Sequence, residues 1–188
     1  MWVHPVAIRP IPPYAVVSEA AVERAREEVS KAEDDADALE SIHSELINEQ
    51  PILADYLTGI LSTDLDETAL ALGFFLSLVI WKSFRRVFGE RLRQVDQEGV
   101  ESMTSTLTAE EELRAQNGRE PIDWEDIALV DQPHSAALMN QQIETALGID
   151  DTEIDLDDVH TVFRALVLMT LALSYAVDGP AHDREVLA

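Results

Sequence analysis

The sequence predicts an all-α protein, a bundle of five to seven helices with an internal duplication of a helix-pair unit and a long N-terminal helix. Three observations support this fold class. Apolar residues recur every three or four positions over more than three heptads, which is typical of a long helix. Proline and capping signals precede the later apolar stretches, as they do at helix starts. Two apolar runs of about a dozen residues are too short to cross a bilayer and suit buried core helices.

The N-terminal segment, residues 1–17, is predicted to be an extended, proline-rich arm. Its prolines exclude a regular helix or a central strand. Trp2 and Tyr14 belong to a set of apolar side chains that a free tail would not carry, so the arm is expected to lie along the body or on a partner. Residues 18–188 are expected to form a single helical domain. The four prolines are Pro5, Pro10, Pro12 and Pro13.

A long helix is predicted from Ser18 to Asn48. Its apolar positions are separated by alternating steps of three and four residues, which places them on one seam. Many of them are alanine, so a neighbouring helix could approach closely. The Val22–Leu46 seam therefore predicts either a partner helix within the chain or a homodimer. The seam residues are Val22, Ala25, Val29, Ala32, Ala36, Leu39, His43 and Leu46.

An internal duplication is predicted from two short matches that occur in the same order. In each unit a Gln-Pro pair opens a helix, and an acidic quartet then caps a strongly apolar helix, with its first residue, Asp64 or Asp155, as the N-cap. The alternative is that both signals recur only because each starts a helix well. The matches are Glu49-Gln50-Pro51 with Asp131-Gln132-Pro133, and Asp64-Leu65-Asp66-Glu67 with Asp155-Leu156-Asp157-Asp158.

The two repeat units, approximately residues 49–95 and 131–178, are expected to pack on each other. Each unit contains one helix that is apolar nearly all round, and such a helix is stable only when it is covered. The segments Leu70–Trp81 and Ala165–Val177 should therefore lie at the centre of a pseudo-two-fold bundle.

Residues 104–123 are predicted to connect the two units. Thr108 followed by Glu111 has the spacing of a capping box, and Asn117-Gly118 is a typical helix stop. A short helix is expected from Trp124 to Leu129.

The net charge of the chain limits the classes of partner that it can bind. The formal charge is −24, with 37 Asp and Glu against 13 Lys and Arg. This excludes nucleic acid, because a protein binds DNA or RNA by replacing phosphate counterions with its own cations. It also excludes anionic membranes. The remaining interpretations of the acidic composition are a solvated surface, a basic protein partner, or adaptation to a cell with high internal salt. The absence of cysteine excludes disulfides and thiolate metal sites and favours a cytoplasmic location.

The favoured function is a non-enzymatic protein-protein interaction or adaptor protein, with an inhibitor or immunity-type protein as its extreme form. The acidic run of the long helix would meet a basic protein partner, and the arm would add apolar contacts. The candidate interaction residues are Glu27, Glu28, Asp34 and Asp35 in the helix and Trp2 and Tyr14 in the arm.

The alternative is a helical-bundle protein or enzyme that binds a metal or a small apolar ligand. Glu40 and His43 have the Glu-x-x-His spacing of di-iron bundles, and Asp157 with His160 is a looser version. However, neither central apolar segment carries a carboxylate that would complete such a site. Ordinary structural roles in their helices are therefore the favoured interpretation of these four residues, rather than a metal centre. No cofactor is expected.

Other chemistry has less support. Residues 150–158 carry alternate carboxylates, but Leu156 and Val162 occupy the positions at which an EF-hand needs Gly and Glu. Helix capping is the better interpretation of this loop. The chain has no nucleophile elbow and no phosphate-binding glycine loop, so an enzyme is not favoured.

Arg164 lies just before the second apolar segment and would need an acidic partner if it were buried. Asp157, Asp158 and Glu67 are the predicted partners, and the alternative is an arginine that extends from the end of the bundle to solvent.

Overall fold

The computed structural model describes residues 8–118, 132–148 and 155–180. Within these ranges the regular structure consists of seven α-helices, two 3-10 turns and one antiparallel bridge between Leu92 and Val177. The predicted all-α bundle is thus confirmed. The helices are α1 (Glu19–Ala32), α2 (Ala36–Glu49), α3 (Pro51–Leu61), α4 (Glu67–Phe88), α5 (Gln97–Gln116), α6 (Pro133–Leu147) and α7 (Leu156–Tyr175).

The bundle is built around α4 and α7, which pack against each other as the sequence predicted. Trp81 and Phe84 of α4 are fully buried, and every residue of α7 from Ala165 to Ser174 is buried. The other helices lie around this pair. Both central helices are apolar on nearly every side, so contact with each other and with the surrounding helices removes most of their surface from water.

The stretch Glu67–Arg91 is long and apolar enough to cross a membrane, and no other helix in the described ranges meets that test. In the bundle 56% of its apolar window is buried. More than half of that window is therefore covered by the rest of the bundle.

Gly73 allows three helices to meet at one point. A Cβ atom at this position would lie 2.9 Å from Cγ1 of Val162 in α7 and 2.7 Å from Cδ2 of Leu61 in α3. Carbon atoms in favourable contact are about 3.5–4.0 Å apart, so no larger residue fits without displacement. The missing side chain therefore sets the separation of α4 from its neighbours.

The cap of α7 is the predicted one, whereas the predicted cap of α4 is wrong by two residues. Asp155 caps α7 by accepting a hydrogen bond from a first-turn N–H (2.9 Å). Asp66, and not Asp64, caps α4 in the same way (2.8 Å). The reason is the turn that follows α3, in which the Leu65 N–H donates to the carbonyl of Thr63, so α4 can begin only after it.

The N-termini of the two central helices also bind each other. The Asp66 N–H donates to Oδ2 of Asp158 (2.7 Å), and the Asp155 N–H donates to Oδ2 of Asp66 (3.2 Å). The positive ends of the two helix dipoles favour this concentration of carboxylates. Three acidic residues of the predicted quartets thus act as caps.

The predicted single helix from Ser18 to Asn48 is wrong, because the chain forms two helices there. α1 ends at Ala32 and α2 begins at Ala36. The carboxylate of Asp35 accepts hydrogen bonds from two N–H groups in the first turn of α2 (3.1 and 3.3 Å). Aspartate competes for nearby backbone N–H groups, and this local preference interrupts the heptad pattern.

The break divides the predicted seam. Its first half, Val22 to Ala32, is buried on the side of α1 that packs against α4. In α2 the buried residues are Ile42 and Leu46, whereas Leu39 and His43 are only partly buried. The internal partner of the seam is therefore α4. A homodimer through the same seam stays a prediction, and it would require α4 to be displaced.

Most of the predicted connection, residues 104–123, is helical. Thr108 lies inside α5, where its hydroxyl donates to the carbonyl of Thr104 (3.0 Å) instead of capping a new helix. The helix continues past this point to Gln116, and Glu110 in this part is buried and pairs with Arg114 one turn later (3.0 Å). The stop at Asn117-Gly118 is confirmed, with Gly118 at φ +63°. The predicted short helix at 124–129 lies outside the described residues.

Residues 8–17 lie on the body, as predicted for the arm. Ile8, Ile11 and Val17 are buried, and the hydroxyl of Tyr175 in α7 donates a hydrogen bond to the carbonyl of Arg9. These three side chains of the arm are thus part of the core.

Two buried glutamines hold two extended segments. Gln50 accepts a hydrogen bond from the Val95 N–H (2.8 Å) and donates one to the Arg93 carbonyl (3.0 Å). Gln132 accepts from the N–H of Val17 (3.1 Å) and donates to the carbonyl of residue 15 (2.7 Å). Each carboxamide therefore pairs with two backbone groups of an extended chain, as a neighbouring strand would.

The two glutamines occupy equivalent positions in the predicted repeat and have the same structural role. Gln50 and Gln132 each precede a proline that opens a helix, and each holds the segment that leads into another helix, α5 or α1. The duplication itself stays a prediction.

We predict that Gly73→Ala lowers the free energy of unfolding by about 1–3 kcal/mol, because the added methyl overpacks the contact with Val162. Gly59→Ala is the matched control. Gly59 is exposed in α3 and a Cβ there meets nothing within 4 Å, so this change should stabilise by about 0.5–1 kcal/mol. Urea unfolding measures both. Equal effects of the two variants would contradict the close approach.

We predict that Gln132→Met lowers the free energy of unfolding by about 2–4 kcal/mol, because two buried backbone groups lose their partner. Amide hydrogen exchange at Val17 should accelerate in the same variant. Gln94→Met is the control, since Gln94 is exposed and makes a single bond of 3.2 Å to a backbone carbonyl. A loss for Gln132→Met no larger than that of the control would show that the bonds contribute little.

Candidate functional site

The first two turns of α4 are less buried than the sequence predicted. From Leu76 to Trp81 the predicted central segment is buried, but Leu70 is 39% exposed, Ala71 is exposed and Phe74 is only partly buried. The prediction that the whole segment lies at the bundle centre is therefore wrong for its beginning. An apolar strip of α4 is left facing solvent.

This strip forms one wall of an open groove between α2, α3 and α4, with a volume of about 500 Å³. We call it the apolar groove. α2 contributes one residue, the C-terminal end of α3 contributes three, and the start of α4 contributes four. The lining residues are His43, Thr58, Leu61, Ser62, Glu67, Leu70, Ala71 and Phe74.

The local structure keeps the surface of the groove apolar. The His43 ring packs edge-on against Phe74, with ring centroids 5.3 Å apart and an interplanar angle of 70°. The Ser62 hydroxyl donates to the carbonyl of Gly59 (3.2 Å), so its donor is occupied. Leu61 is fixed beside Gly73 at the junction of three helices. The groove is thus a preformed apolar surface.

The groove lies in a strongly one-sided part of the charge distribution. Residues 32–81 contain eleven Asp and Glu and no Lys or Arg. A second such stretch, residues 120–163, contains twelve Asp and Glu and likewise no Lys or Arg. α2, α3 and the first two-thirds of α4 come entirely from residues 32–81, and we call the surface that they contribute the cation-free face. The name refers to these residues themselves, since Lys82 and Arg85 from the rest of α4 pair with Glu45 and Glu49 at the edge of α2.

Glu67 lines the groove, Glu40 lies exposed one turn before His43, and Asp64 is exposed in the loop before α4. A strong negative potential is expected around the apolar floor.

Three of the predicted interaction residues, Glu27, Glu28 and Asp35, line a second cleft between α1, α2 and α4 with a volume of about 590 Å³. Acids and cations alternate along it. Glu28 pairs with Lys82 (2.8 Å) and Arg86 (2.6 Å), and Lys82 also pairs with Glu45 (3.2 Å). Four carboxylates therefore face four cations here. The lining residues with formal charge are Arg24, Glu27, Glu28, Lys31, Asp35, Glu45, Lys82 and Arg86.

The predicted acidic run is therefore not a uniform acidic surface. Glu27 and Asp34 are exposed, but Glu28 is neutralised by two cations and Asp35 acts as a helix cap. Tyr14 in the arm is exposed, as an interaction residue would be, and Trp2 lies outside the described residues.

The candidate metal ligands are not brought together. Glu40 and His43 lie on α2, whereas Asp157 and His160 lie on α7 in its first two turns. His43 faces Phe74, and His160 is exposed. Among the described residues no three His, Asp or Glu side chains are placed to hold a metal ion. Residues 149–154 of the acidic loop lie outside the described ranges.

The predicted partners of Arg164 are wrong. Its guanidinium pairs with Glu111 of α5 (2.8 Å) and donates to the hydroxyl of Thr108 (3.0 Å). The reason is that α5 continues through residues that the sequence predicted to be a connection. In this region α5 packs along α7 and brings Glu111 and Thr108 to Arg164. Glu111 and Thr108 thus bind an arginine instead of forming a capping box.

Comparison with known proteins identifies no relative of this chain. No family model matches the chain, and no curated protein or solved structure is significantly similar to it.

We predict that Lys82→Met lowers the free energy of unfolding by about 1 kcal/mol at pH 7. Burial raises the pKa of Glu28, but the hydrogen bonds and charges of Lys82 and Arg86 outweigh it and leave the pKa below its ordinary value. A lowered carboxyl pKa contributes stability at neutral pH that is lost as the carboxyl protonates. The difference between variant and wild type should therefore shrink below about pH 4.

Lys31→Met is the control for this prediction, because Lys31 lines the same cleft but is exposed. Urea unfolding at several pH values measures both variants. A Lys82→Met loss that stays constant from neutral to acid pH would show that the effect comes from packing and not from the ion pairs.

Proposed function

We propose that this protein is a non-enzymatic interaction module that binds a basic protein through its cation-free face. The observation that supports it is the coincidence of an exposed apolar groove with the stretch of 50 residues, 32–81, that lacks Lys and Arg. Apolar grooves of monomeric proteins are commonly interaction sites. Adaptor and inhibitor functions would both use such a face.

The two properties of the face have different roles in this proposal. Burial of the groove would supply most of the affinity, because contacts at the centre of an interface are apolar and well packed. The carboxylates around it, such as Glu40 and Asp64, would speed the encounter with a basic partner and disfavour acidic ones. This moves the proposed binding surface from the α1 acids to α2, α3 and the start of α4. A cytoplasmic location fits the absence of cysteine.

The second candidate function is binding of a small apolar ligand. The apolar lining of the groove and its volume of about 500 Å³ favour it, since ligand sites of this kind span roughly 300–1,000 Å³. The groove is, however, an open channel between helices, and ligand pockets usually enclose most of the ligand surface. The open shape suits a protein segment better.

We predict that the triple variant Glu40→Lys, Asp64→Lys, Glu67→Lys loses a partner that wild-type protein captures from an extract of its own source at low salt. Quantitative mass spectrometry at about 50 mM and about 500 mM salt measures the captured proteins. Wild type should enrich basic proteins at low salt only, and the triple variant should retain about tenfold less of them.

The control is Glu98→Lys, Glu112→Lys, Glu144→Lys, which makes the same charge change at exposed positions of α5 and α6. It should keep the partner, because these positions lie outside the cation-free face. Equal loss of the partner in the two triple variants would show that net charge alone controls the interaction. That result would contradict a defined binding face. Unchanged capture by the first variant would contradict the proposal as well.

A further inference from the structure

Building on the proposed function, we propose that the apolar groove receives one amphipathic helix of the basic partner. The apolar side of that helix contacts Leu61, Leu70 and Phe74, and its Lys and Arg residues lie toward Glu40 and Glu67 at the edges. This commits the groove to a helical segment of defined pattern, which the general proposal of a basic partner does not.

The walls of the groove favour a helix over an extended peptide. All three walls are helices or helix ends, and their backbone groups bond within the helices or the turn that follows α3. An extended peptide would find no backbone partners there and would leave its own N–H and C=O groups unpaired in an apolar site. A helix satisfies its backbone internally and presents only side chains.

The length of the groove matches two turns of a helix. The residues of α4 that line it run from Glu67 to Phe74, which is a rise of roughly 10 Å. Positions i, i+3 or i+4, and i+7 of a partner helix span the same distance, so two or three apolar anchors fit along it. Ile47, exposed one turn beyond His43 on α2, extends the apolar surface at one end.

The charge around the groove selects a basic helix. Glu67 lies on the α4 wall and Glu40 lies on α2, so a helix between them has carboxylates on both sides. The nearest cation along α4, Lys82, is paired with Glu28 and Glu45. A helix from a second copy of this chain is disfavoured by the same field, because each copy carries a formal charge of −24.

The test uses two fluorescein-labelled peptides of about 18 residues with the same content of Leu, Ala and Lys. One has its leucines at i, i+3, i+4 and i+7, and the other has them spread around the helix. Fluorescence anisotropy should show that wild-type protein binds the amphipathic peptide about tenfold more tightly than its isomer. Binding should weaken between about 50 mM and about 500 mM salt.

Two groove variants and one matched control complete the experiment. Leu70→Glu and Ala71→Arg change exposed groove residues, so the fold should be retained. Each variant should lower the affinity for the amphipathic peptide by about tenfold or more. Leu156→Glu makes the same change at a leucine that is 66% exposed outside the groove, and it should have no effect. Far-UV circular dichroism and urea midpoints confirm that all three variants fold.

The outcomes separate this inference from the proposed function. Equal binding of both peptides, unaffected by Leu70→Glu, would overturn the helix site and leave a purely electrostatic face. No binding of the amphipathic peptide would also overturn it, while capture of a partner by the cation-free face would still stand. Self-association of wild type that Leu70→Glu abolishes in sedimentation would assign the groove to a second copy and overturn the inference.

Discussion

The mutual burial of α4 and α7 is the constraint on which the rest of the structure depends. Each helix is apolar nearly all round, and burying one large apolar side chain contributes roughly 1.5–3 kcal/mol. Gly73 lets α4 approach both Val162 and Leu61, so the two central helices and α3 meet without a gap. The surrounding helices need only one apolar side each, which is why α1 and α5 can carry so many exposed acids.

The apolar groove follows from the same arrangement. α3 and α4 are joined by a tight turn, and the groove lies where α2, the end of α3 and the start of α4 meet. Leu70 and Ala71 near the start of α4 stay exposed, and none of the described helices covers them. The surrounding carboxylates oppose association between copies through this strip, because like charges repel. In the proposed function the same carboxylates would select a basic partner.

The sequence predicted the central helices because their composition leaves no exposed alternative. It failed where two local signals compete. The heptad steps favour one helix through Asp35, but the carboxylate of that residue caps a new one. Leu70 was assigned to the core, since an all-apolar helix does not reveal which side stays uncovered. The run of 50 residues without Lys or Arg was readable in the sequence, but the exposed groove beside it was not, because it depends on how α2, α3 and α4 pack.

The two glutamines have a consequence for the order in which the chain folds. Gln132 holds Val17, a partner 115 residues earlier, and Gln50 holds the segment that opens α5. Gln132 thus joins the second predicted unit to the start of the chain, whereas Gln50 and Val95 both lie in the first predicted unit. Contacts of such long separation are slow to form, because the entropy of closing the loop is lost before the contacts are gained. During synthesis the segment that leads into α1 can form these hydrogen bonds only after residue 132 has emerged.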